Sequence, residues 1–230
     1  RVFGAEDYAD PLTYLLAYGT VALMLPAVLL SFWIVGCRPI GLLSSVAGRL
    51  RWAWVARLWP AALVIWAVTL AASLLSDPAA LPRVATVNGW LLLAALAVTP
   101  FQAAAEEYVF RGALAQTVGA WLKNPWWAIL LPVPLFVVGH GYDWVGLTGV
   151  TLFAVAAGWL TYRSGGLEAA IVMHVVNNTS LGALAAFGLV DLNAVSFDPV
   201  LLVVDVAPIA VFVGWVEWLL WRQRRAAVRG

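Results

Sequence analysis

Long apolar runs alternate with short polar interruptions along this chain, and the runs are long enough to predict membrane-spanning helices. Residues 1–10 are polar and acidic, with Glu6, Asp7 and Asp10. Apolar runs follow at 11–36, 58–76, 89–122, 126–141, 145–162, 167–187 and 199–221. Most are near the roughly 20 residues that a helix needs to cross the hydrocarbon core, the third being longer and the fourth the shortest. The interruptions carry helix-stop signals: Asp77-Pro78 after the second run, Lys123-Asn124-Pro125 after the third, Gly165-Gly166 after the fifth. Residues 38–57 read differently. Arg38, Arg49, Arg51 and Arg57 are interleaved there with Leu42, Leu43, Leu50, Trp52, Trp54 and Val55. An interfacial amphipathic segment and a plain basic loop both fit that mix. The pattern predicts an all-α, polytopic transmembrane helical bundle. It has about seven spans, with eight as the alternative if one helix is missing or interfacial. No internal repeat or low-complexity linker divides it, so residues 1–230 read as one integral membrane domain.

Composition strengthens this picture. The chain is 63% hydrophobic and 11% charged, with mean hydropathy +0.91. A soluble domain carries about 25% charged residues, so this chain cannot cover a water-facing surface of ordinary size. Its 14 tryptophans suit the membrane–water interface. A net charge of +1 points to no nucleic-acid partner. Cys37 is the single cysteine, which excludes an internal disulfide. No cleavable signal peptide is recognisable. The sequence opens on Arg1 rather than Met, so a native N-terminal segment is expected to be missing.

The placement of charge predicts topology. With the N-terminus outside, alternate loops put Arg38, Arg49, Arg51, Arg57, Lys123, Arg163, Arg222, Arg224, Arg225 and Arg229 on one side. The other side receives Glu6, Asp7, Asp10, Asp77, Asp143, Asp191 and Asp198, with Arg1 and Arg83 as its basic residues. That bias puts the N-terminus outside and the C-terminus in the cytoplasm.

Once loop charges are set aside, the ionisable residues inside the runs are Glu106, Glu107, Arg111, His140, Glu168, His174, Asp205 and Glu217. Charged groups within a membrane are costly and are functional candidates by default. Glu107 and Arg111 are spaced i,i+4 with the glutamate first, the favourable order for an ion pair. Glu106 points about 100° away and has no cation in its own helix. A carboxylate without a partner in an apolar setting holds its proton more tightly, which suits a general base. The preceding Ala103–Ala105 run lets a neighbouring helix approach closely. Phe136 and His140 share a face in the fourth run, as do His174, Asn177 and Asn178 in the sixth. Each could be structural: paired glutamates can join helices, and His174 with Asn178 could be a polar clamp. Together on three spans they supply a base, hydrogen-bond donors and a polar pocket, the parts needed to activate water and stabilise an oxyanion. Glu168 suits the start of its helix. Glu217 is placed to reach Arg222, Arg224 or Arg225, and Asp205 to lie near an interface.

Glu106-Glu107-x-x-x-Arg111, Phe136-x-x-x-His140 and His174-x-x-x-Asn178 together resemble the motif set of the CPBP (ABI) family. This is the family of the type II CAAX prenyl proteases, also called glutamate intramembrane proteases. The resemblance covers about residues 89–184, within a motif-bearing core of about 89–187, and departs from the pattern at no motif position. It implies a helical membrane endopeptidase in which Glu106 and His140 hold and deprotonate the attacking water. It implies that His174 and Asn178 stabilise the oxyanion while Glu107 and Arg111 form the supporting ion pair. Phe136, in a motif, and Asn177, beside one, are expected to be supporting residues of the site. Implied substrates are peptides or membrane-protein segments, lipidated ones among them. The mechanism it implies is metal-free. Two histidines and a carboxylate could also hold a divalent cation, although no HExxH helix is present. A single lysine beside twelve arginines suggests a bacterial source and hence a bacterial cell membrane. The rival readings are a non-catalytic scaffold or immunity protein of this fold, and a transporter with an intramembrane proton site. Counting from the loops puts His174 towards the cytoplasmic side and His140 towards the outer side. The two can meet only if the fourth helix is tilted or broken, for which Pro132 and Pro134 supply a cause.

Overall fold

The computed structural model describes residues 7–36, 39–76, 86–197, 199 and 201–229. Arg1, Glu6, Arg38, Asp77, Pro78, Arg83, Asp198 and the side chains of Asp205 and Arg229 lie outside the described residues. All seven apolar runs are helical, and no strand occurs among the described residues. The first run is two helices, α1 (Pro11–Ala22) and α2 (Met24–Val35), joined at Leu23. The second lies in α3 (Trp52–Ser76). The third is α4 (Gly89–Glu107), a π-helical turn (Tyr108–Leu114) and α5 (Ala115–Leu122). The fourth is broken into α6 (Pro125–Leu130) and α7 (Pro132–Val137). The last three are α8 (Trp144–Ser164), α9 (Glu168–Ala186) and α10 (Leu201–Arg229). Five segments among the described residues are long and apolar enough to cross a membrane: 11–35, 52–72, 89–122, 144–164 and 168–186.

Lipid is as apolar as leucine, so burying leucine does little to join helices inside a bilayer; close packing of small residues does more. Ala95, Ala103, Ala105, Ala154, Ala157, Ala169 and Ala170 are accordingly fully buried at helix contacts. α4 packs against α1 on one side and α9 on the other, α9 also meets α3, and α10 covers α3 and α8. Large side chains such as Leu16, Leu63 and Phe101 face outwards. Exposed Trp52, Trp90 and Trp144 stand at helix starts and Trp121 near a helix end, as expected for an interfacial belt.

The described part of the basic stretch, 39–57, is neither a free loop nor one amphipathic helix. A 3₁₀ turn (Ile40–Leu43) leads into irregular chain, and α3 begins at Trp52. The irregular part docks on the α8–α9 turn. Val46 N–H donates to Gly165 O (2.9 Å), and Leu167 N–H donates to Ser44 O (2.8 Å). Arg51 then pairs with buried Glu168, Nη2 to Oε2 at 2.6 Å and Nε to Oε1 at 2.9 Å. Glu168 is thus an ion-pair partner as well as a first-turn carboxylate. Glycine is required at 166, because a Cβ there would stand 2.4 Å from Glu168 Oε2. Glu217 also departs from expectation. It binds Arg163 of α8 at 2.5 Å and accepts from Trp159 Nε1 at 3.1 Å, instead of pairing with the basic tail.

Candidate active site

The third run builds the site first. α4 delivers Gln102, Glu106 and Glu107, and the π turn delivers Arg111. A π turn inserts one residue into the helical register and is common where a helix must re-aim side chains at a functional site. Here Tyr108, one residue after Glu107, is held by a 2.6 Å hydroxyl contact with Ser44 of the docked stretch.

Glu107 is fully buried, and its Oε1 accepts from two donors. Arg111 Nη1 lies at 3.0 Å and His174 Nδ1 at 2.7 Å. The expected ion pair is present, but Glu107 is shared with α9. Arg111 is 4% exposed, donates Nη2 to Ala154 O (3.1 Å) and lies over the Phe136 ring (4.4 Å). Its two terminal nitrogens therefore meet an anion and a carbonyl, and its plane meets a π face, which is how a buried arginine is accommodated.

Donation of His174 Nδ1–H to Glu107 fixes the tautomer and leaves Nε2 as the acceptor. Asn178 Nδ2 donates to that Nε2 at 3.1 Å. Glu106 Oε2 lies 3.4 Å from the same nitrogen, is buried, and has no hydrogen-bond donor. Glu106 therefore differs from Glu107 as the spacing predicts in having no arginine, although each keeps a buried Oε2 without a hydrogen-bond partner. Its nearest polar partner is His174 from α9.

His140 lies beyond the end of α7, in the irregular stretch before α8. The break at Leu131–Pro132 follows from proline, which has no N–H to donate inside a helix. His140 Nδ1–H donates to Phe136 O (2.9 Å), which leaves its Nε2 free to take a proton. Phe136 stands between the two imidazoles, 5.0 Å from the His140 ring and 6.2 Å from the His174 ring. The broken run thus brings both histidines to one aromatic wall, completed by Phe110 and Phe153. Glu107, Arg111, His174 and Asn178 form one hydrogen-bonded cluster, with Glu106 against it 3.4 Å from His174 Nε2 and His140 across Phe136. Asn177 donates Nδ2 to Asn178 Oδ1 at 3.0 Å, joining the cluster through that amide. Sequence reasoning missed Gln102, 6% exposed, whose Oε1 accepts from Asn178 Nδ2 at 3.1 Å. The available signal was a lone amide one helical turn before Glu106 in an apolar run. Tyr142, whose ring is 5.8 Å from His140, was also missed. Among the described residues, no group of three His, Cys, Asp or Glu side chains is arranged to hold a metal ion.

Residues 88–180 match the family model described as type II CAAX prenyl endopeptidase Rce1-like, and every residue of the cluster falls inside that match. A 100-residue stretch is 37% identical to "Uncharacterized protein YyaK" from Bacillus subtilis (strain 168), covering 40% of this chain. The match spans 33% of that relative's length. No solved structure matches. The chain therefore resembles the type II CAAX prenyl endopeptidases across the segment that holds its buried glutamates, histidines and asparagines.

Proposed function

We propose that the protein is an integral-membrane endopeptidase that hydrolyses a peptide bond at or within the bilayer, with Glu106 as general base. The observation that carries this reading is a buried Glu106 Oε2 that no arginine binds, 3.4 Å from His174 Nε2, beside Glu107, which binds both Arg111 and His174. Glu106 and His140 hold the water. Glu106 takes its proton as the oxygen attacks the peptide carbonyl carbon. The carbonyl π pair moves onto oxygen; Glu106 hands the proton on to His174 Nε2 across their 3.4 Å contact, and the imidazolium so formed, with the Asn178 N–H that it releases, stabilises that oxyanion. When the tetrahedral intermediate collapses, the C–N bond breaks and the proton passes to the leaving amine. Glu107, Arg111, Phe136 and Asn177 hold the donors in place. This reading uses water and no metal. The charge bias of the loops supports an external N-terminus and a cytoplasmic C-terminus, and the composition supports a bacterial cell membrane. Substrates are peptides or membrane-protein segments, and lipidated chains are within the class.

The test is a membrane-peptide library incubated with purified protein, Glu106→Gln and His140→Ala, with and without chelator, and read by mass spectrometry. Cleavage by the wild type alone, unaffected by chelator, is expected. Equal cleavage by Glu106→Gln contradicts the base assignment. Loss on chelation with recovery on zinc replaces it with a metal-dependent mechanism. Absence of cleavage, with a partner that co-purifies independently of Glu106, favours a scaffold.

A further inference from the structure

We propose that Gln102 is a positioning residue that holds the donor end of the Asn178 amide towards His174 Nε2 and the reacting carbonyl; this rests on the protease reading of the site. A primary amide has nearly the same shape in either orientation, so its partners decide which end points where. Asn178 has three. Its Nδ2 donates to Gln102 Oε1 (3.1 Å) and to His174 Nε2 (3.1 Å), while its Oδ1 accepts from Asn177 Nδ2 (3.0 Å). Reversing Asn178 alone would set its oxygen against Gln102 Oε1 and its NH₂ against the NH₂ of Asn177. Asn177 is half-buried, whereas Gln102 is buried, so the contact with Gln102 is the more protected of the two. A buried glutamine in an apolar helix is costly unless its amide is engaged. Gln102 and Glu106 lie one turn apart on α4. A single helix thus carries the proposed base and the residue that aims the oxyanion donor of α9.

The test is a double-mutant cycle between Gln102→Met, which keeps volume but removes the acceptor, and Asn178→Ala. It is read by cleavage kinetics and, separately, by thermal unfolding in mild detergent. Gln102→Met is expected to lower kcat on the order of 10–100-fold with little change in KM. The same change in the Asn178→Ala background should have no further effect. A wild-type kcat for Gln102→Met, or an equal loss in both backgrounds, overturns the proposal. If the wild type cleaves nothing, the protease reading fails, and the unfolding arm still decides the contact. Non-additive shifts in melting temperature support it, and additive shifts overturn it.

Discussion

At the scale of single residues, the decisive feature is the unequal treatment of two adjacent glutamates. Glu107 is buried with Arg111 at 3.0 Å and His174 at 2.7 Å on one oxygen. Breaking such a buried pair leaves an uncompensated charge, whereas removing both charges does not. Arg111→Met should therefore cost about 3–5 kcal/mol of stability, measured by denaturant unfolding in detergent. The Glu107→Gln/Arg111→Met double variant should cost less than Arg111→Met alone. A double variant that is the less stable of the two contradicts this account of the pair. The Glu107–Arg111 contact was legible in the sequence because i,i+4 spacing is local. The Glu107–His174 bond was not, because it joins residues 67 apart, and no local periodicity reports such a pairing. For the same reason Gln102 was invisible as a partner of Asn178, 76 residues away.

At the scale of elements, function depends on how closely α4 and α9 approach. A Cβ at Gly182 would lie 2.8 Å from Ala95 Cβ and 2.8 Å from Tyr14 Oη. Overpacking of this kind costs about 1–3 kcal/mol. Gly182→Ala should therefore lower the melting temperature and also slow cleavage, because it forces apart the helices that carry Glu106 and His174. Unchanged stability would mean that the helices are not in contact there. A second junction is sensitive to acid. Asp143 caps α8, accepting from Gly146 N–H (3.0 Å), and also accepts from Phe197 N–H (3.1 Å). Those backbone donors hold its carboxyl below the usual aspartate range. Its folded pKa lies below its unfolded one, so its contribution is present above the usual range and is lost as pH falls through the lowered value. Protection of the Phe197 amide from hydrogen exchange, taken relative to the intrinsic rate at each pH, should fall at acidic pH in the wild type and change less with pH in Asp143→Asn. Identical pH dependence in the two proteins contradicts the assignment. The seven runs were legible as elements because a span needs a fixed length of apolar chain. The break at Pro132 was legible as a cause. The docking of 44–51 on the α8–α9 turn was not, because backbone hydrogen bonds between loops leave no trace in residue pattern.

At the scale of the whole molecule, topology and chemistry can be tested separately. In a Cys37→Ser background, Ala9→Cys should react with a membrane-impermeant thiol reagent added to intact cells, and Ala226→Cys only after lysis. The reverse pattern overturns the N-out orientation but leaves the catalytic cluster untouched. The central claim concerns one carboxylate. Its most direct test is the initial cleavage rate of a peptide substrate by wild-type protein and by Glu106→Gln, reconstituted side by side in the same lipid. Glu106→Gln keeps the shape of the side chain and removes its capacity to accept a proton. The account predicts a rate for this variant indistinguishable from the background without enzyme, with folding intact. Cleavage by Glu106→Gln at the wild-type rate would contradict it.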